Sequence, residues 1–132
     1  MINYLTMDEL LKMHEVIQET YPDKTINYEF GCLEKRIVEP QTDYFGVEQY
    51  PRFFQKASLY LYKISIAHCM TDGNKRLGLI ATEYFLNANG YELIATDDEL
   101  YDFCVDIAND KTRPNIEVVE EWIESHTVEY EY

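Results

Sequence analysis

Apolar residues recur every three or four positions along most of the chain, which is the spacing of one face of an α-helix. The first such run follows Thr6, whose spacing to Glu9 is that of a capping box, and it stops at Pro22. A shorter run over residues 32–39 ends before Pro40. These two runs predict two helices, separated by a turn-rich segment.

The middle of the chain carries the longest helical pattern. It starts at Pro51, a residue suited to the first turn of a helix, and it ends near His68. After a break at residues 70–73, a new pattern runs to the Asn-Gly pair at 89–90, a typical helix stop. The aromatic segment 41–51 contains a glycine and precedes the central helix, so we expect it to form a loop or a small hairpin.

The last third of the chain is predicted to add a short extended piece and two helices. Residues 91–96 form the extended piece, Thr96 and Glu99 repeat the capping box, and a final helix starts at residues 114–115. We therefore expect an all-α fold, a compact bundle of about six helices with a small hairpin or flap, in a single domain over residues 1–132.

Charge limits the classes of ligand. Acidic residues outnumber basic ones by 25 to 11, and the formal charge is −14, so we expect no direct nucleic-acid or membrane binding. The N-terminal segment lacks the pattern of a signal peptide, and no apolar stretch approaches the roughly 20 residues that span a bilayer. We expect a cytoplasmic protein whose acidic tail, residues 126–132, is frayed or forms a contact surface.

The chain has three cysteines, Cys32, Cys69 and Cys104, at wide spacings. They form no Cys-x-x-Cys pair and do not group with histidines as the ligands of a zinc site do. We expect them to be reduced thiols, as is usual for cytosolic proteins.

The nine residues HCMTDGNKR, at positions 68–76, concentrate the candidate chemistry. Gly73 permits close approach of the backbone, and residues 74–76 fall in the first turn of a helix, where free N–H groups attract anions. Asp72 can hold Mg²⁺ beside phosphate oxygens, and His68 can accept a proton near neutral pH. These are components of phosphate chemistry on a hydroxyl. An ordinary helix–turn–helix corner with solvated cations has the same composition, so the residues alone leave both interpretations open.

The same nine residues resemble the signature of the Fic/Doc superfamily, His-x-Phe-x-Asp/Glu-Gly/Ala-Asn-Gly/Lys-Arg, in the Doc branch where lysine replaces the second glycine. Segments similar to Doc-type sequences surround it in the same order, namely LTMDELLKMHE, GCLEKRIVEPQ, the Tyr-Pro pair at 50–51 and FLNANGYELIATDDEL. The resemblance spans roughly residues 5–110, and its motif core is residues 50–96.

This resemblance implies an all-helical Fic fold and an enzyme that uses ATP and Mg²⁺ to modify a protein hydroxyl. Doc-type members are kinases that phosphorylate a threonine of translation elongation factor Tu and inhibit translation. They are toxins of toxin–antitoxin pairs, and the partner is a Phd-type antitoxin whose disordered C-terminal segment folds on binding. By position the resemblance implies His68 as general base, Asp72 as the Mg²⁺ ligand, Gly73, Asn74, Lys75 and Arg76 as phosphate- and nucleotide-binding residues, and Lys75 and Arg76 as catalytic residues as well.

Two features of the sequence depart from the wider family pattern. AMP-transferring members carry a second arginine three residues after the position of Arg76, where this chain has Leu79, and this favours phosphate transfer. The usual Pro-Phe pair is Cys69-Met70 here, and methionine can fill the space of the phenylalanine. The alternatives to a kinase are transfer of AMP or another nucleotide group, and a catalytically silent module that binds a nucleotide or a partner.

Overall fold

The computed structural model describes residues 1–130, which form six α-helices and two small antiparallel sheets of two strands each, the first of which is a hairpin. The elements are α1 (Met7–Thr20), α2 (Phe30–Val38), a 3-10 turn (Glu39–Gln41), β1 (Asp43–Tyr44), β2 (Val47–Glu48), α3 (Phe53–Ile66), α4 (Asn74–Ala88), β3 (Tyr91–Leu93), α5 (Asp97–Ala108), α6 (Ile116–Ser125) and β4 (Thr127–Glu129). The predicted all-α bundle of about six helices with a small hairpin is confirmed.

Capping boxes start two of the helices, as their sequences predict. At α1 the Thr6 hydroxyl accepts from the Glu9 N–H at 3.2 Å, and the Glu9 carboxylate accepts from the Thr6 N–H at 2.9 Å. Thr96 and Glu99 make the same pair of bonds at α5. Each box satisfies N–H groups that have no partner within the helix, so both starts are fixed locally.

The centre of the fold is α3, which packs chiefly against α4 and α6. Its residues 56–61 are all buried, so the helix is enclosed on every side. Helix α4 approaches α3 most closely at Gly78, where an added Cβ would lie 2.5 Å from the Ser65 Oγ. The loop that joins these two helices, residues 67–73, is therefore held between the two best-packed elements of the molecule.

The first hairpin projects from the bundle and is held by a buried lysine. Strands β1 and β2 pair antiparallel with Asp43 opposite Glu48, and Phe45 at the tip is fully exposed. Lys56 of α3 is 1% exposed and donates to the Pro40 carbonyl at 3.1 Å and to the Glu48 carboxylate at 3.4 Å. The hairpin is thus anchored at its base, whereas its apolar tip is free.

A two-stranded sheet joins the C-terminal segment to the chain that follows α4. Strand β4 pairs with β3, with Tyr91 opposite Glu129 and Leu93 opposite Thr127. Of the two expectations for the acidic tail, fraying is wrong for residues 127–129, which form a strand, and a contact surface stays a prediction. Of the rest of the predicted tail, His126 caps α6 and the Tyr130 N–H donates to the Gly90 carbonyl, whereas residues 131–132 lie outside the described residues.

Two cysteines that lie far apart in sequence are joined in the structure. Cys32 and Cys69 form a disulfide with their Cα atoms 5.4 Å apart, and Cys104 is free and buried. The expectation of three reduced thiols is therefore wrong for two of them. The pair is separated by 37 residues, and only the docking of α2 beside the loop after α3 brings them together.

Within residues 1–130, no helix combines the length and the hydropathy needed to cross a bilayer.

Candidate active site

The segment that carries His68 is fixed by the chain that connects α1 to α2. The Glu29 N–H donates to the Cys69 carbonyl and the Thr71 N–H donates to the Asn27 carbonyl, both at 2.9 Å. Tyr28 and Met70 form an antiparallel bridge between these two bonds. The loop after α3 is therefore one side of a short two-stranded contact.

His68 itself has a left-handed backbone, with a φ of 54°. Residues other than glycine adopt this conformation uncommonly, and it is found where surrounding structure forces it. The side chain of His68 is exposed and lines a cavity, whereas the next two residues, Cys69 and Met70, are buried. The left-handed turn separates an imidazole that faces the cavity from two side chains that anchor the loop.

Gly73 caps the N-terminus of α4 with a φ of 79°, which an L side chain rarely adopts. A Cβ at this position would also lie 3.0 Å from the Ile17 side chain. Glycine is therefore required here by backbone conformation and by packing. The first turn of α4 presents its free N–H groups, together with Lys75 and Arg76, at the cavity.

Asn74 braces the loop from within. Its side-chain oxygen accepts from the Met70 N–H at 3.0 Å, and its side-chain nitrogen donates to the Met70 carbonyl at 2.9 Å. Both ends of the amide are thus bonded to one backbone residue. The group that Asn74 offers to an anion in this arrangement is its backbone N–H, with the side chain holding the loop in shape.

Asp72 lies at the mouth of the cavity, and both of its oxygens accept hydrogen bonds. One accepts from Lys24 and the other from the Gly73 N–H, each at 2.8 Å. The bond from Lys24, followed by that from Gly73, lowers the pKa of the Asp72 carboxyl below its ordinary value. Asp72 is therefore an anionic group at neutral pH, with Lys24 as an exposed counter-ion.

All six predicted site residues line one cavity of about 760 Å³. Its walls come from the end of α1, the loop after α3, one side of α4 and one side of α5. The lining residues are Tyr21, Lys24, Ser65, His68, Thr71, Asp72, Gly73, Asn74, Lys75, Arg76, Leu79, Glu83, Asp97, Leu100, Tyr101, Cys104, Val105 and Ala108.

The cavity has two ends of opposite charge. Lys75, Leu79 and Glu83 line it at successive intervals of four residues along α4, so about 12 Å of helix separates the first from the last. Lys75 lies beside the helix N-terminus, with Arg76 next to it. Burial, and then the charge of Asp97, raises the pKa of the Glu83 carboxyl. The groove thus runs from an anion-attracting end to an acidic end.

Sequence reasoning missed several lining residues. Lys24 comes from a turn with no pattern of its own, and the wall from α5 belongs to a helix that was predicted without a role. The spacing of Glu83 from Lys75 is a signal that could have been used, because it places both on one helix face. Ser65 gave no signal. Its Oγ is buried and has no hydrogen-bond partner among residues 1–130.

The residues fit a magnesium ion only when it arrives with phosphate. Among the described residues, no group of three or more histidine, cysteine, aspartate or glutamate side chains is placed to hold a metal. Mg²⁺ in nucleotide sites is commonly held by one or two carboxylates together with phosphate oxygens and water. The single carboxylate of Asp72, beside the anion-attracting end of the cavity, meets that requirement.

The sequence is similar to those of known proteins. The sequence model of the Fic/DOC family matches residues 4–86, which include α1 to α3, the loop after α3 and most of α4. A protein named Toxin Doc from Mycolicibacterium smegmatis is 38% identical over 82 residues, which are 62% of this chain and 58% of that protein. The match therefore spans less than two thirds of the length of the relative. Because the family match covers well over half of the sequence, the chain belongs to the Fic/DOC family.

Proposed function

We propose that this chain transfers the γ-phosphate of ATP to a protein hydroxyl and acts as the toxin of a toxin–antitoxin pair. The observation that carries the proposal is that His68 and residues 72–76 line a single cavity at the N-terminus of α4. The relative named Toxin Doc supports the toxin role.

The groove suits a nucleoside triphosphate. Its anion-attracting end combines free N–H groups with Lys75 and Arg76, which suits the phosphates. The α5 wall contributes apolar side chains, among them Leu100 and Val105, which suit the face of a base. The length of about 12 Å from Lys75 to Glu83 accommodates a nucleotide lying along α4.

His68 supplies the general base. Its ring is exposed to the cavity, next to the phosphate end, where a hydroxyl of a second protein can approach from solvent. Asp72 would hold Mg²⁺, which neutralises developing charge on the phosphate oxygens. The ion pair with Lys24 opens when that occurs, and Lys24 then becomes a further cation for the phosphates.

Phosphate transfer is favoured over nucleotide transfer by the composition of the α4 face. Leu79 lies on it one turn beyond Lys75, at the position where AMP-transferring relatives have an arginine. Positive charge from α4 is therefore confined to its first turn. One anion-attracting end orients the terminal phosphate toward His68, whereas transfer of AMP requires the α-phosphate there.

The biological setting follows the resemblance. The target would be a threonine of elongation factor Tu in the cytoplasm, and the partner a Phd-type antitoxin. The exposed hairpin tip, with Tyr44, Phe45 and Val47, is the surface that we assign to docking of the target segment.

The test is transfer of label from ATP carrying ³²P at either the α or the γ position, with Mg²⁺ and a bacterial translation extract. We expect label from γ alone on one protein band, lost in His68→Ala and retained in the matched control His126→Gln, whose residue does not line the cavity. Label from α would establish nucleotide transfer instead. Nucleotide binding without transfer from either position would establish the silent binding module.

A further inference from the structure

A disulfide ties the residue after His68 to the second helix. Cys69 is 2% exposed, and Cys32 lies in the first turn of α2 and is partly buried. We propose that the Cys32–Cys69 pair is a thiol–disulfide exchange site, which reacts with low-molecular-weight thiols and disulfides and sets how firmly the His68 segment is held to α2.

The position of the bond makes it a latch for the loop. Cys32 comes three residues after Glu29, whose N–H donates to the Cys69 carbonyl, so the crosslink closes one end of the contact between residues 27–29 and 69–71. With the disulfide formed, these two segments cannot separate without larger unfolding. With two thiols, only hydrogen bonds and the packing of Met70 hold them, and local opening becomes possible.

Cys32 is the sulfur that an external thiolate attacks. It is the more accessible of the pair, since Cys69 is almost fully buried. Its place in the first turn of α2 puts it near free N–H groups, which stabilise a thiolate there. The Ala67 carbonyl lies 3.9 Å from its Sγ and can accept from the reduced thiol.

The exchange balances without a metal or a cofactor. A thiolate RS⁻ attacks the Cys32 Sγ, the protein S–S bond breaks, and Cys69 leaves as a thiolate that takes a proton from water. A second RS⁻ attacks the R-group sulfur of the mixed disulfide, which releases RSSR and returns Cys32 as a thiolate that takes a proton. The net reaction is protein disulfide plus two RSH giving protein dithiol plus RSSR. Oxidation is the reverse.

The remaining cysteine stays outside this exchange. Cys104 is 7% exposed on α5, and burial raises the pKa of its thiol to about 11. At neutral pH it is almost entirely the unreactive thiol form. Replacement of Cys104 by serine is thus a matched control, because it removes one cysteine of the chain and leaves the pair intact.

The experiment equilibrates the full chain in buffers of reduced and oxidised glutathione at different ratios. Thiols are counted by alkylation and mass spectrometry, and amide hydrogen exchange is followed at Glu29 and Thr71. We expect a two-electron titration of the pair, with exchange at both amides faster by about tenfold or more in the reduced form. Cys104→Ser should show the same thiol titration and the same amide hydrogen exchange as wild type, and it is a control for these two readouts alone because Cys104 lines the cavity. Cys32→Ser should show fast amide hydrogen exchange at every ratio.

Two results would overturn the proposal. In one, Cys32 and Cys69 stay as two thiols at the most oxidising glutathione ratio. In the other, the amide hydrogen exchange rate of Glu29, and that of Thr71, is the same in the oxidised and the reduced wild type. Neither readout needs the variants to fold or a nucleotide to bind.

The effect on catalysis rests on the proposed function. We expect the rate of label transfer to fall by about tenfold on reduction of the wild type, because a looser loop misplaces His68. Amide hydrogen exchange that depends on the redox state, with no label transfer in either state, would support the role of the disulfide in holding the loop and would reject the proposed kinase activity. If amide hydrogen exchange changes with the redox state but the rate of label transfer does not, the disulfide holds the loop without controlling the reaction. The proposed effect on catalysis would then be rejected.

Discussion

Replacement of Gly78 by alanine tests how closely α3 and α4 pack. The added Cβ would lie 2.5 Å from the Ser65 Oγ and 3.1 Å from the Leu61 carbonyl oxygen. Favourable contacts between such atoms are about 3.5 Å, so the helices must separate or Ser65 must rotate. The Leu61 oxygen belongs to the backbone of a central, enclosed helix and moves only with α3 as a whole.

The expected change in the free energy of unfolding of Gly78→Ala is the difference between two effects. Overpacking of a tight interface costs about 1–3 kcal/mol, whereas alanine gains about 1 kcal/mol over glycine in a helix interior. We expect Gly78→Ala to lower the free energy of unfolding by up to about 2 kcal/mol. Gly31→Ala is the matched control, because it is also helical and its Cβ would meet no atom within 4 Å. It should be neutral or stabilising by up to about 1 kcal/mol.

The assay is equilibrium unfolding in urea without reductant, for both variants, for Ser65→Ala and for the Ser65→Ala/Gly78→Ala double variant. Removal of the Ser65 Oγ relieves the shortest contact but leaves the one with Leu61, so we expect the double variant to recover about 1 kcal/mol of the loss. Gly78→Ala that is as stable as Gly31→Ala, with an unchanged dependence on urea, would refute the packing described here.

Three further predictions concern charged groups. Because the bond from Lys24 is the largest cause of the lowered pKa of Asp72, Lys24→Ala should raise that pKa toward its ordinary value in an NMR titration. The wild type loses the stability that the ionised Asp72 contributes as pH falls through the folded pKa, and the Lys24→Ala protein should lose it at a higher pH. Glu83 has the opposite sign. Its raised pKa means that the folded state binds more protons than the unfolded state and loses stability as pH rises through the pKa of Glu83 in the folded state. In thermal unfolding, Glu83→Gln should therefore be more stable than wild type at neutral pH and equal to it in acid. Lys56→Met leaves the buried Pro40 carbonyl without its donor and should lower the free energy of unfolding by about 1–2 kcal/mol in urea. A Lys56→Met protein as stable as wild type would mean that the lysine does not anchor the hairpin.

The helices could be predicted because their signals are local. Thr6 and Thr96 start helices through contacts three residues away, and the apolar spacing of α3 and α4 is visible without any tertiary information. His68 and residues 72–76 could be predicted to lie together for the same reason, since one loop and the following helix turn supply them.

What could not be predicted depends on contacts between distant segments. Lys24 reaches Asp72 across 48 positions, and Cys32 reaches Cys69 across 37. The role of Asn74 as a brace for Met70 is local in sequence, but it depends on the loop conformation that the contact with residues 27–29 imposes. Spacing in the sequence carries no information on such docking.

The walls of the cavity that come from α4 and from α5 differ in whether the family match includes them. The family match ends at residue 86, so it includes the loop after α3 and the wall from α4. The wall from α5, residues 97–108, lies beyond the match. A small-molecule inhibitor that contacts only the loop after α3 and the wall from α4 would depend on features shared through the family motif. An inhibitor that also contacts Tyr101 and Val105 would bind a surface that the motif does not specify. Selective inhibition of this protein should therefore be sought on α5, which lies outside the family match.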